Sequence, residues 1–238
     1  MSLSRRASSN EPVSEELYCD NAMGLAVGDE EQGRADLFSL CARLLIAAPD
    51  AEFLALLSSA AADPAMPRTT RLDRAWADLA GAAAAMGPGD ITDEFDRLFI
   101  STGSPVINPY ASVYLTGFMN EKPLAALREE LAAMGLARVQ GRGEVEDHLA
   151  ILCEIMRVMI SGEPAALRQS VARQQLFFEA HIGSWYHLCL DDIRKASGDG
   201  FYARVTELVQ AFFEIEADSF RFNTADDDIP TYHLETLT

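Results

Sequence analysis

The sequence predicts an all-α fold, about ten helices in two subdomains joined by a short hinge, and three observations carry that prediction. Ala and Leu dominate while Val, Ile and Thr are sparse, a balance that favours helix over sheet. Apolar residues recur at three- and four-residue spacing through most of the chain. No stretch of useful length alternates apolar and polar as a half-buried strand would, and no internal repeat is evident.

Residues 1–32 lack periodicity, are rich in Ser, Glu and Asp, and read as a disordered leader. The pair Arg5-Arg6 lacks the apolar stretch an export signal needs behind it, because Ala7 to Asp20 is Ser, Glu and Asn with few apolar residues. An N-terminal helical subdomain then covers 33–135. Its first helix starts near Arg34, carries Leu37, Phe38, Cys41, Leu44 and Leu45, and ends at Pro49. Asp50 caps a second with Phe53, Leu54 and Leu57, which gives out before Asp63-Pro64. Arg68 to Met86 is a third, stopped by Gly87-Pro88-Gly89. Asp90 or Thr92 opens the fourth, with Ile91, Phe95, Leu98 and Phe99 on one face; an irregular stretch from Pro109 to Leu115 follows the break at Ser101–Pro105. Glu121 to Met134 is helical and closes at Gly135, a left-handed terminus.

Residues 136–143 are the hinge, and 144–222 form the C-terminal subdomain. The hinge delivers Glu144-Val145-Glu146-Asp147-His148 into an apolar run that lasts to Ile160. The acids read as a first helical turn, where free N–H groups favour negative charge. At about 100° per residue, Asp147 shares the polar side with Glu154 and Arg157, while His148 lies at the edge of the apolar stripe. Capping and packing roles account for such residues in many helices, so the step alone does not define a site. Pro164 opens another helix that bends around Phe177 to Trp185 and continues towards Ile193. Ser197 to Gly200 is a turn, a long helix runs from Phe201 to Phe222, and 223–238 is a loose acidic tail.

The net charge of −18 leaves no basic face for a nucleic-acid backbone and favours a cationic peptide or protein partner. Cys19, Cys41, Cys153 and Cys189 are scattered with no C-x-x-C pair, which points to reduced thiols rather than zinc or a disulfide framework. No stretch has the length and purity of a membrane span. There is no phosphate-binding glycine loop, no G-x-S-x-G elbow and no Glu-x-x-His pair of the kind di-iron bundles use. His181 and His187, six residues apart, do not share a helical face and read as packing or capping residues. The residues supply no catalytic constellation and no metal site; a helical metal-dependent oxidase or hydrolase is the alternative reading.

A resemblance adds to this. Phe95-Asp96-Arg97-Leu98-Phe99, then Gly103, then Pro109-Tyr110-Ala111-Ser112-Val113-Tyr114-Leu115, then Glu144 to His148, resemble the ordered signatures of the TorD/DmsD family of cytoplasmic chaperones for molybdenum-cofactor enzymes. Phe178, His181, Trp185 and Phe201-Tyr202 continue the order, so the resemblance spans residues 34–222. The family often has Pro within its acidic step, where this chain has Val145 and Glu146. The resemblance implies a non-enzymatic, system-specific chaperone that binds the twin-arginine signal peptide or apo form of a molybdoenzyme catalytic subunit, delaying export until cofactor is inserted. It places Asp147, His148 and their neighbours at the border of the contact; Glu144, Glu146 and Asp147 are then the candidate charges, Tyr110, Tyr114, Leu115 and Phe118 the candidate apolar walls, and Ser112 and Trp185 complete the candidate site. The resemblance also admits weak guanine nucleotide binding, while the short, Gly-rich joint allows a monomer or a domain-swapped dimer and the lack of a long apolar stretch leaves no stable membrane insertion. A cationic pair followed by an apolar segment calls for carboxylates beside an apolar groove, which these residue types supply.

Overall fold

A computed structural model describes residues 28–61, 69–100, 105–136, 144–162 and 165–227. The expected leader up to residue 27, Gly103, most of the hinge (137–143), Pro164 and the end of the tail lie outside the described residues, as does Cys19. Ten α-helices are present among those described: α1 Asp29–Ile46, α2 Ala51–Ala61, α3 Arg71–Ala85, α4 Pro88–Phe99, α5 Ala111–Thr116, α6 Lys122–Ala133, α7 Leu149–Ser161, α8 Val171–Phe178, α9 Tyr186–Ser197 and α10 Phe201–Asp227. No strand occurs among them, only an isolated antiparallel bridge between Tyr110 and His148.

Several boundaries differ from expectation for local reasons. Helix α1 starts at Asp29, inside the stretch assigned to the leader, because Asp29, Glu30 and Glu31 sit favourably against the helix N-terminus. Pro88 does not lie in a break. It opens α4 at a first-turn position, where its missing N–H costs nothing. The irregular stretch after Pro109 contains a short helix, α5. The helix expected at Pro164 is preceded by a 3-10 turn over Ala165–Leu167 and begins at Val171, with the Ser170 hydroxyl accepting from the Arg173 N–H. The expected bend is a π-turn, Glu179–Gly183, between α8 and α9. The last helix runs on to Asp227 instead of ending at Phe222.

Helix α7 is the spine. Its buried residues Leu149, Leu152, Cys153, Met156, Met159 and Ile160 meet α1, whose inward face is Phe38, Cys41, Leu44 and Leu45. α3 and α9 pack on α10, and α2 packs on α3. One hydrophobic core takes in residues from Ala35 to Phe220, so the segments on either side of 136–143 interleave. Arg34 on α1 grips Glu216 on α10 with two hydrogen bonds of 2.8 and 2.7 Å, and Glu216 is 2% exposed.

A second cross-brace holds the start of α10. The buried Glu94 carboxylate, from α4, accepts from the N–H groups of Phe201 (2.7 Å) and Tyr202 (3.2 Å) and from the Ser197 hydroxyl. It does for α10 what a local N-cap does for an ordinary helix, satisfying donors that have no partner within the helix. Gly200 leaves room for it: a Cβ there would collide with the Glu94 carboxylate. Replacing Glu94 with Ala is expected to cost about 2–3 kcal/mol in urea unfolding, because buried donors lose their acceptor. Gly200→Ala should destabilise through the same contact, and adding it to Glu94→Ala should cost less than the sum of the two.

Candidate functional site

The chain from 105 to 112 and the chain from 144 to 149 are laced together before either enters a helix. Leu149 N–H donates to Pro109 O at 2.8 Å and Ala111 N–H to Asp147 O at 3.0 Å, which makes the Tyr110–His148 bridge. Ile107 N–H donates to Leu98 O, tying this strip to the end of α4. The lacing fixes the backbone of α5's first turn against the first turn of α7.

Asp147 completes the joint. Its Oδ2 accepts from Ser112 N (2.9 Å) and from Ser112 Oγ (2.5 Å), and its Oδ1 is buried with no hydrogen-bond partner. Asp147 is 1% exposed and Ser112 0%. This corrects the expectation that Asp147 faces water beside Glu154 and Arg157. The acids do not form a helical turn: α7 starts at Leu149 with His148 as its N-cap, and no acid lies in its first turn. Released from helical geometry, Asp147 turns inward to cap α5, and Arg157 pairs with Glu154 instead.

His148 is also more buried than expected, at 6%. Its Nδ1 accepts from the Ala150 N–H at 3.1 Å, and its ring meets Tyr110 edge-on with centroids 5.0 Å apart. Burial pushes the His148 pKa down to about 4, against the opposing pull of Glu144 and Asp147. The unfolded chain therefore takes up a proton near pH 6.5 that the folded chain refuses until about pH 4. Stability from this residue is present above about pH 6.5 and lost as the pH falls through that window, by about 3 kcal/mol in full. Asn can cap the same helix without titrating. His148→Asn should therefore flatten the decline of melting temperature between pH 6.5 and 4 relative to the wild-type chain.

Glu146 points the other way, to α6, where its carboxylate meets Arg128 Nε (3.1 Å) and a terminal nitrogen (2.8 Å). Glu146 is 8% exposed and Arg128 remains half in water. Among the expected acids only Glu144 stays exposed, and it accepts from the Tyr110 hydroxyl. Burial, then the Glu144 carboxylate, pushes the Tyr110 phenol pKa up, so it remains a donor.

Trp185 is not at the surface. It is fully buried, its indole N–H donates to His181 O at 2.6 Å, and Tyr114 stacks over it at 5.5 Å. Tyr114 in turn reaches Asp192 with its hydroxyl at 3.4 Å, so Trp185 acts through Tyr114 by fixing α5 against α9. His181 is a packing residue, on Phe177 and beside Glu130.

The outer side of α5 is different. Leu115 is 45% exposed, Phe118 71% and Met119 39%. Phe118 stands on a tight turn: Gly117 caps α5 at φ 84° with its N–H on Val113 O, and Asn120 lies at φ 61°. The Thr116 hydroxyl donates to Ser112 O and accepts from the Phe118 N–H. Two left-handed residues and a side-chain bracket thus hold an aromatic ring out in water on a built turn. Met119 and Arg128 are the residues sequence reasoning missed. Met119 is legible as the neighbour of Phe118, whereas nothing in the sequence pairs Arg128 with Glu146.

Among the described residues no three His, Cys, Asp or Glu side chains gather as metal ligands, and no helix is long and apolar enough to cross a membrane. The family model for the nitrate reductase delta subunit matches residues 67–191. Among curated proteins, the chaperone protein TorD of Vibrio atlanticus is 31% identical over 134 residues, 53% of this chain and 62% of that protein. The TorD chaperone of Vibrio cholerae is 30% identical over 131 residues, 52% of this chain and 60% of that one. The chain thus spans about three fifths of the length of these relatives. A crystal structure of a candidate redox enzyme maturation protein from Archaeoglobus fulgidus aligns over 85% of this chain and 98% of its own, at 19% identity and a TM-score of 0.48.

Proposed function

Because this chain belongs to the nitrate reductase delta subunit family and is related to the TorD chaperones, we propose that it is a cytoplasmic chaperone for a molybdoenzyme precursor, docking a twin-arginine leader along the outer edge of α5. The observation that carries the reading is the bracketed turn that displays Phe118, with Leu115 and Met119 beside it and the exposed Glu144 at the opposite end of the same helix. From Tyr110, which holds Glu144, to Thr116 at the end of α5 is six residues, about 9 Å at helical rise, and Phe118 stands on the turn just beyond. A leader that places an arginine pair before an apolar stretch matches that polarity, with guanidinium on carboxylate and apolar side chains on Phe118.

The buried acids have a different part. Asp147 and Glu146 set the position of α5 between α6 and α7, so they shape the docking edge without touching the leader. Binding requires no covalent step. The alternative of a metal-dependent enzyme has no donor set among the described residues to support it. Titration calorimetry of a twin-arginine leader peptide into the full chain tests the proposal. Saturable binding that weakens with salt is expected, since the arginine contribution is between exposed charges. The absence of binding by leader peptides and by the whole precursor would overturn it.

A further inference from the structure

A second apolar surface lies away from α5. Helices α1, α2 and α3 leave a groove of about 280 Å³ lined by Leu37, Leu40, Phe53, Leu56, Leu57 and Trp76, with Asp36 at its rim. Leu56 is 61% exposed, and the Trp76 indole N–H is buried without an acceptor. The space is at the low end of ordinary small-molecule sites and suits a few apolar side chains better than a drug-sized ligand.

We propose that the apolar stretch Leu17–Val27 of this chain's own N-terminal segment folds back along α1 and fills this groove. Three observations favour that occupant. The stretch carries Leu17, Tyr18, Met23, Leu25 and Val27 and directly precedes α1, while the residues before it are mostly polar. Its reach is right: Leu37 lies eight residues into α1, about 12 Å from the helix start, which about four extended residues cover. Among the described residues nothing crowds Gly28, where a reversal would begin and an added Cβ would meet no atom within 4 Å. Tethering also presents the stretch at a local concentration that a free partner rarely reaches. The inference does not depend on the leader-docking proposal, which concerns α5.

The test uses the full chain with a benzophenone side chain in place of Leu56, irradiated and mapped by mass spectrometry after proteolysis. Attachment within one chain to residues 17–27 is expected, and Leu25→Asp together with Tyr18→Asp should abolish it. In the chain without benzophenone, the same pair of substitutions should shift Trp76 emission to the red. Trp185, fully buried, stays constant as the only other tryptophan. Attachment to residues 62–68, attachment between two chains, or no attachment with unchanged Trp76 emission would each overturn the proposal.

Discussion

Asp147→Ala is expected to lower the melting temperature by about 6–12 °C, since the loss is about 3 kcal/mol and a chain of this size shifts about 2–4 °C per kcal/mol. Ser112 loses the acceptor of both its N–H and its hydroxyl in a fully buried site. Each orphaned buried donor costs about 1–3 kcal/mol. Part of that is offset, because the substitution also removes Oδ1, a buried carboxylate oxygen with no partner. Asp147→Asn keeps one oxygen for Ser112 and should retain more than half of the lost stability. Leader affinity measured on the folded fraction should change little in either variant. A loss of affinity without a loss of stability would place Asp147 in the contact itself and remove it from the brace described above.

Phe118→Asp should do the reverse. The ring is 71% exposed, so its removal is expected to leave stability within about 0.5 kcal/mol of the wild-type chain. Burying a Phe side chain in a complex is worth about 1.5–3 kcal/mol, which corresponds to a fall of about tenfold to a hundredfold in leader affinity. The introduced carboxylate does not rescue binding, because an arginine pair is already matched to Glu144 at the other end of α5 and apolar side chains meet position 118. Phe118→Leu, which keeps an apolar side chain on the turn, should recover most of the affinity. Together the two aspartate changes separate the frame of the site from its face: one unfolds the chain at lower temperature and the other leaves the fold and loses the partner.

What was legible in the sequence followed from periodicity. The stripes Leu37-Phe38-Cys41-Leu44-Leu45 and Leu152-Cys153-Met156-Met159-Ile160 identify α1 and α7 and their buried faces, and Gly135 and the 197–200 turn mark helix ends. The positions of Tyr110, Ser112, Asp147 and His148 at one joint were recoverable only from the resemblance, because 35 residues separate Ser112 from Asp147. The burial of the acids was not legible. A run of Glu, Glu and Asp before an apolar helix has the same pattern whether its carboxylates cap their own helix or another one. The outcome depended on α7 starting at Leu149, about five residues later than the run from Glu144 suggests, which freed Asp147 to turn towards α5 and Glu146 towards Arg128. The burial of Trp185 is equally invisible to periodicity, because its N–H finds His181 O inside the fold.

If the partner sits on the outer edge of α5, amide hydrogen exchange of the full chain with and without a twin-arginine precursor will show it there. Slowed exchange confined to residues 113–120 and the neighbouring 144–145 is the predicted footprint. Protection that leaves 113–120 untouched, with the precursor demonstrably bound, would contradict it.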